Sequence, residues 1–347
     1  MQIQQALQQL VDGESLSRSD MRDVMTEVMG GAATPAQIGA LLIALRIRGE
    51  TIDEITGAAE VMRRLATRVH VDQTHLVDLV GTGGDGANLF NVSTAATFVV
   101  AAAGGRVAKH GNRSVSSASG SSDVLETFGM PLDLDPQQIA RCIDEVGLGF
   151  MFAPAHHGAM KHAVAPRKDL GMRTLFNILG PLTNPAMVQR QVLGVFDKAL
   201  CQPIAEALGR LGSQHALVLH SDDGLDEISI AAPTAVWEMR NGVVEAFRID
   251  PADYGHGYDS LAGLSVGTAQ ESAELIRAAL GSRPNDDALK ARSMITLNAG
   301  AAIYVAGVTS SLRAGIALAD DVIASGQALD KLETFVTFTH GLKAGHV

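Results

Sequence analysis

Apolar positions in the first seventy residues recur with a helical period. Ile3, Leu7, Leu10 and Val11 fall on one face of a first helix. Met21, Val24, Met25, Val28 and Met29 do the same in a second, which Gly30-Gly31 stops. Thr34-Pro35-Ala36-Gln37 joins a capping box to a proline at the first helical position, and it opens a third helix carrying Ile38, Leu41, Leu42 and Leu45. Thr51-Ile52-Asp53-Glu54 opens a fourth, running to about Ala66. Four short amphipathic helices predict a small bundle. Its spare apolar surface suits burial against a second copy, and its methionine stripe reads as core or dimer contact.

From about Thr74 the pattern changes to short apolar runs alternating with helical stretches. Strands are predicted at Val77–Val80, Arg106–Lys109, Phe150–Phe152, Val192–Val195, Leu217–Leu219 and Ile228–Ile230. Helices are predicted over Thr94–Ala103 and, capped by Asp135, through Val146. Val236–Met239 and Val243–Ile249 flank Asn241-Gly242, the dipeptide a type I′ hairpin turn requires. Thr268 caps a late helix, and the last sixty residues are helical again. The prediction is an α/β protein: a small all-helical N-terminal domain, then a larger α/β domain with a mixed, mainly parallel central sheet. The stretch Gly180-Pro181-Leu182-Thr183-Asn184-Pro185 reads as a hinge or crossing between domains.

Composition narrows the function. The chain has 347 residues, 46% hydrophobic and 19% charged, which excludes disorder as the dominant state. Its net charge of −11 opposes non-specific binding to a nucleic-acid backbone, so an anionic ligand must be held by a local constellation. Cys142 and Cys201 are too few for a disulfide framework and read as buried thiols in a reducing cytoplasm. The N-terminus lacks a basic then apolar leader pattern, and no apolar run reaches membrane-spanning length. Neither secretion nor a membrane span is expected.

Four segments carry chemistry. Gly81-Thr82-Gly83-Gly84-Asp85-Gly86 follows a predicted strand, and Asn91-Val92-Ser93-Thr94 opens the next helix. Glycines let backbone N–H groups approach a ligand, and a helix N-terminus adds unpaired N–H groups and a positive dipole end. This is an anion site suited to phosphate or diphosphate. It matches neither the dinucleotide fingerprint nor the P-loop, which need a third spaced glycine or a Gly-Lys-Ser/Thr. After the second strand, Lys109-His110-Gly111-Asn112-Arg113-Ser114-Val115-Ser116-Ser117 and then Ser121 supply cations and hydroxyls, and parallel neighbouring strands would place them beside the first loop. Asp222-Asp223-Gly224-Leu225-Asp226-Glu227 offers hard carboxylate oxygens suited to Mg²⁺ bridging phosphates; in isolation it would read as an acidic turn. His156, His157 and His162 lack the spacing of a zinc site, so the nearby arginines Arg167 and Arg173 are better read as carboxylate binders.

Together these segments resemble the anthranilate phosphoribosyltransferase family of tryptophan biosynthesis, in family order and over essentially the whole chain. The most specific pieces are Gly81–Asp85 with Asn91–Thr94, Lys109–Ser117, Asp226-Glu227 and Arg173–Pro185. The resemblance implies a helical domain over residues 1–70, with about 167–185 returning to it, and an α/β domain over 74–166 and 186–347. It implies a homodimer through the helical domain. It implies transfer of the phosphoribosyl group of 5-phosphoribosyl 1-diphosphate (PRPP) to the amine of anthranilate. PRPP would be held by Gly81, Gly84, Asp85, Asn91, Val92, Ser93 and Thr94. The second wall of that site would be Lys109, His110, Gly111, Asn112, Arg113, Ser114, Val115, Ser116, Ser117 and Ser121. Mg²⁺ would sit on Ser93, Asp226 and Glu227. Anthranilate would meet Gly81, His110, Asn112, His157, Arg167 and Pro181, with Arg167 near its carboxylate. No general base is assigned.

The family often carries a hydroxyl where this chain has Leu89, so that contact is not carried over, and Tyr254–Ser265 is assigned nothing. The same fold class leaves a pyrimidine nucleoside phosphorylase as an alternative. A non-catalytic nucleic-acid-binding relative is a further one, opposed by the net charge.

Overall fold

A computed structural model describes residues 1–84, 86–113 and 119–345. Four helices come first: α1 (Ile3–Val11), α2 (Arg18–Met29), α3 (Pro35–Arg48) and α4 (Ile52–Leu65). Both capping boxes form, at Thr34 with Gln37 and at Thr51 with Glu54. The methionine stripe of α2 is buried in full, as are Ile38, Leu41, Leu42 and Leu45. Val11, expected on the inner face of α1, is instead 75% exposed. It is the last residue of that helix, where the chain leaves the bundle.

The α/β part follows. Its elements are β1 (Leu76–Gly81), α5 (Val92–Ala102), β2 (Arg106–Gly111), α6 (Ser121–Thr127), α7 (Pro136–Arg141) and β3 (Leu148–Phe152). Then come α8 (Ala153–His156), α9 (Lys161–Leu170), α10 (Leu175–Leu179), β4 (Arg190–Gly194), α11 (Cys201–Arg210) and β5 (His215–Ser221). The hairpin β6 (Thr234–Arg240) and β7 (Val243–Ile249) precedes α12 (Ala269–Leu280), α13 (Asp286–Ala306), α14 (Leu312–Ala324) and α15 (Gln327–Ala344). Asn241 and Gly242 both have positive φ, as the type I′ turn demands. No helix among the described residues is long and apolar enough to cross a membrane.

The described strands form one sheet in the order β3-β2-β1-β4-β5-β6-β7, parallel except for the two pairings β6 makes. Alternation along the strands decides which layer each side chain joins. Val192, Leu217 and Leu219 face α5 and the C-terminal helices, whereas Leu193, Ala216 and Val218 face α11 and the cluster shared with the N-terminal bundle. Leu175, Phe176, Ile178, Leu179 and Leu182 belong to that second cluster.

Two expectations are corrected. Ile228–Ile230 is not a strand. β4 and β6 flank β5 on both sides, so this segment, which follows β5, cannot pair with it. Its backbone is satisfied by a side chain instead: Ile228 N–H donates to Asn298 Oδ1 (2.9 Å) and Asn298 Nδ2 donates back to the Ile228 carbonyl (2.9 Å). The helix capped by Asp135 does not run unbroken to Val146, because Cys142–Val146 widens into a π-helical turn. The crossing at Gly180–Pro185 is largely buried and anchored. Asn184 Nδ2 donates to Asp78 Oδ2 (2.7 Å) and to the Ala108 carbonyl (2.8 Å).

Candidate active site

In the strand order, the chain proceeds outward from β1 in one direction through β2 and β3, and in the other from β4. The point between β1 and β4 is therefore a topological switch point, where the carboxyl ends of parallel strands leave a crevice. Both strands end in glycine there, and Gly81 and Gly194 are register partners. The acidic loop after β5 lies across them. A Cβ on Gly81 would strike the Asp226 carboxylate, and one on Gly194 would strike the Asp226 backbone carbonyl. Gly83 N–H donates to Asp226 Oδ2 (2.7 Å), so the glycine loop and the acidic loop are tied directly.

Ser93, Asp226 and Glu227 line one cavity at this end of the sheet, beside Leu79, Gly194 and Asn298. A hydroxyl and two carboxylates are a hard oxygen set that fits Mg²⁺. They fall short of an all-protein cage, which suits an ion that normally keeps waters and phosphate oxygens in its shell. Thr94 Oγ1, one residue on, is buried without a hydrogen-bond partner among the described residues. An orphaned hydroxyl at a helix N-terminus marks a place for an acceptor group.

Lys109, on β2, reaches the same place from beneath. Its Nζ donates to the Leu79 carbonyl (2.7 Å) and to Ser93 Oγ (3.2 Å). Burial pulls its pKa down, while Asp78 and Glu227 hold it up. Asp78 is fully buried on β1; burial pushes its carboxyl up to about 6 against the pull of Lys109 and the Asn184 amide. Asp78 carries no sequence motif. An acidic residue inside an apolar strand was the available signal.

The next wall holds two histidines. The His110 and His157 rings lie 5.0 Å apart between centroids. Burial lowers the pKa of both, His110 well below the ordinary histidine value and His157 to about 4. Both are therefore neutral at pH 7. His110 bonds the Gly180 backbone and His157 the Thr183 backbone, while Nε2 of each is buried and has no partner among the described residues. The crossing segment thus fixes the two rings. The other histidines do different work: His156 bonds the Thr67 carbonyl (2.8 Å), and His162 packs against Gly31.

Asn112 and Ser121 stay together, Ser121 Oγ donating to the Asn112 carbonyl (3.4 Å). The Arg113 guanidinium turns away to Asp123 (2.9 Å) and Glu126 (2.6 Å) of α6, so its charge is already matched. Asn91 opens α5 yet does not cap it. Asp85, Ser114, Val115, Ser116 and Ser117 lie outside the described residues. Leu89 bridges to Ser265, and Phe90 N–H donates to the Leu264 carbonyl (3.0 Å). The unassigned segment before α12 therefore braces the phosphate loop.

Two arginines approach from the helical side. Arg167 sits over the Phe176 ring at 5.3 Å and is half-buried, with no carboxylate partner among the described residues. Burial lowers its pKa. Arg173 stacks on Phe196 at 4.2 Å and lies against Gly84, whose φ of +80° and lack of a Cβ together admit it. The sequence placed Arg173 in a motif without giving it this role.

A helical bundle packed on an α/β sheet, with a hard-oxygen and phosphate-suited crevice at the switch point, defines a glycosyl transferase class. Family models agree: "Glycosyl transferase family, helical bundle domain" matches residues 4–66, and "Glycosyl transferase family, a/b domain" matches residues 73–329. Within that class the chain belongs to the anthranilate phosphoribosyltransferase family. It is 62% identical to the anthranilate phosphoribosyltransferase of Teredinibacter turnerae, covering 98% of this chain and 100% of the relative. Its fold is similar to that of the Thermus thermophilus enzyme of the same name (TM-score 0.90, 42% identity, 96% of this chain and 99% of that chain). It is also similar to the Saccharomyces cerevisiae enzyme in complex with PRPP and Mg (TM-score 0.88, 27% identity, 98% of each chain).

Proposed function

We propose that this chain transfers the phosphoribosyl group of PRPP to the amine of anthranilate, giving N-(5-phosphoribosyl)anthranilate and diphosphate, a step of tryptophan biosynthesis. Family membership favours this over the phosphorylase the sequence left open. The observation that carries the site assignment is the convergence of Ser93, Asp226 and Glu227 on one crevice, with buried Lys109 bonded to Ser93.

In this reading the diphosphate of PRPP lies at the N-terminus of α5, on the backbone of Gly81 to Gly84, with Ser93, Thr94 and Lys109 about it. Asn112 and Ser121 belong to the second wall. Mg²⁺ is held by Ser93, Asp226 and Glu227 together with the diphosphate, and when bound it supplies positive charge for the leaving group. Lys109 and the helix N–H groups add fixed positive potential that needs no reorganisation as charge develops. The transition state resembles an oxocarbenium ion with inversion at the ribose C1.

Anthranilate meets Gly81, Asn112 and Pro181, and its carboxylate pairs with Arg167. Its amine faces the two neutral imidazoles. With their other ring nitrogens bonded to backbone, His110 and His157 offer Nε2 as hydrogen-bond acceptors for the amine protons. That orients the nitrogen lone pair towards C1. The amine loses its proton readily once bonded to carbon, so placement and electrostatics carry most of the rate.

The test is loss of anthranilate fluorescence on adding PRPP, with Mg²⁺ and with chelator. Consumption requiring both is expected; a folded, metal-loaded protein that consumes no anthranilate overturns the proposal.

Residues 1–70, with about 167–185, are proposed as one domain, and 74–166 with 186–347 as the other. The membership of α10 in the apolar cluster of the bundle supports this. A homodimer is proposed through the helical domain. Val11 and Ile47, on α1 and α3, which pack on each other, are each more than half exposed and suit a second copy. Sedimentation should give twice the chain mass, and a single-chain mass overturns this. A cytoplasmic location is proposed from the two buried, unpaired thiols.

A further inference from the structure

We infer that Ser272, on α12 and outside every motif, is a positioning residue that keeps the N-terminus of α5 open to phosphate. The inference rests on the placement of diphosphate proposed above. Asparagine at an N-cap ordinarily accepts a hydrogen bond from its own helix, at the second or third residue. Asn91 makes no such bond. Its Oδ1 accepts instead from Ser272 Oγ (2.8 Å) and Ser119 Oγ (2.7 Å), and its Nδ2 donates to the Ser119 carbonyl (3.2 Å). Ser272 Oγ also accepts from Asn91 N–H (3.0 Å), closing a two-bond clamp. Ser272 is fully buried, so no water competes for it.

The clamp has a chemical consequence. A carboxamide oxygen and a phosphate oxygen compete for the same helix N–H groups. By drawing Oδ1 sideways, Ser272 and Ser119 remove the internal competitor. Ser93, in the first turn of the same helix, lines the cavity with Asp226 and Glu227, which is independent support that this helix end faces a ligand space. The same node joins the first loop to α12 through Ser272 and to the second loop through Ser119.

Ser272→Ala removes one of the two donors that draw Asn91 Oδ1 sideways and the acceptor of the Asn91 N–H, which loosens the hold on the carboxamide and leaves Ser119 alone to keep it off the helix end. The KM for PRPP is expected to rise about three- to thirtyfold, the worth of one N-cap hydrogen bond. The calorimetric Kd for inorganic diphosphate with Mg²⁺ should rise by the same factor. The KM for anthranilate and kcat at saturating PRPP should stay near wild type, because neither depends on the diphosphate contacts at the helix end. A merely structural serine gives the opposite split, a lower melting temperature with unchanged KM, and that result overturns the inference. Should Ser272→Ala fail to fold, Ser119→Ala removes the other donor and must shift PRPP binding the same way. Wild-type protein that binds no diphosphate refutes the site placement itself; wild-type binding with unchanged binding by Ser272→Ala refutes this inference alone.

Discussion

Gly194→Ala tests how the acidic loop is placed. Gly194 is paired on both sides, with Gly81 of β1 and Leu219 of β5, so β4 cannot move to admit a side chain. A Cβ there lands on the Asp226 carbonyl, and the Asp226 Cα is only 3.0 Å away. Restoring ordinary contact requires the loop to retreat by about 1–2 Å. The loop resists, because Ile228 is bonded twice to Asn298 of α13. Overpacking of this kind costs about 1–3 kcal/mol of stability. The larger effect falls on activity. A misplacement of about 1 Å in a reacting constellation costs on the order of 10²-fold, equivalent to about 2.7 kcal/mol of barrier. Moving Asp226 and Glu227 away from Ser93 should also raise the Mg²⁺ concentration for half-maximal rate. The assay is anthranilate fluorescence at graded Mg²⁺, with urea unfolding alongside. An alanine variant with wild-type turnover and wild-type Mg²⁺ dependence refutes the placement.

Asp226→Asn removes one anionic oxygen and should raise the Mg²⁺ requirement by about tenfold or more; an unchanged titration counts against the ligand assignment. Arg167→Ala should raise the KM for anthranilate by about ten- to a hundredfold with little change for PRPP, and an equal rise for both would show that Arg167 serves something other than carboxylate recognition. His157 sets a pH dependence. Its pKa is lowered from 6.5 to about 4, so the fold keeps it neutral while the unfolded chain takes up the proton. Stability from this group is full above 6.5 and is lost as pH falls towards 4, by about 3 kcal/mol. His157→Gln should therefore gain on wild type between pH 7 and pH 4 in urea unfolding, whereas parallel curves would refute the assignment.

Much of this protein was legible along the chain because the governing rules are local. Capping at Thr34 and Thr51 needs residues three apart, the Asn241-Gly242 turn needs two neighbours, and the methionine face of α2 needs only the helical period. The glycine loop, the serine-rich loop and the acidic pair were found the same way, each a contiguous run of residue types that chemistry demands. Ile228–Ile230 shows the limit: an apolar, β-branched run matches a strand locally, but whether an edge is open to receive it depends on β6, which comes later in the chain.

Tertiary structure alone decided which side chains meet. Asp78 and Asn184 are 106 residues apart, Asn91 and Ser272 are 181 apart, and Ile228 and Asn298 are 70 apart. No periodicity links such pairs. Gly194 reads in the sequence as an ordinary strand residue, and its need to be glycine comes from the Asp226 carbonyl that folding lays against it. The Arg113 charge, promising for phosphate in the sequence, is matched by α6. The residue types at the site follow from the chain's own order. The fixed orientation of the histidine rings and the open end of α5 depend on distant backbone and hydroxyl groups brought together by packing.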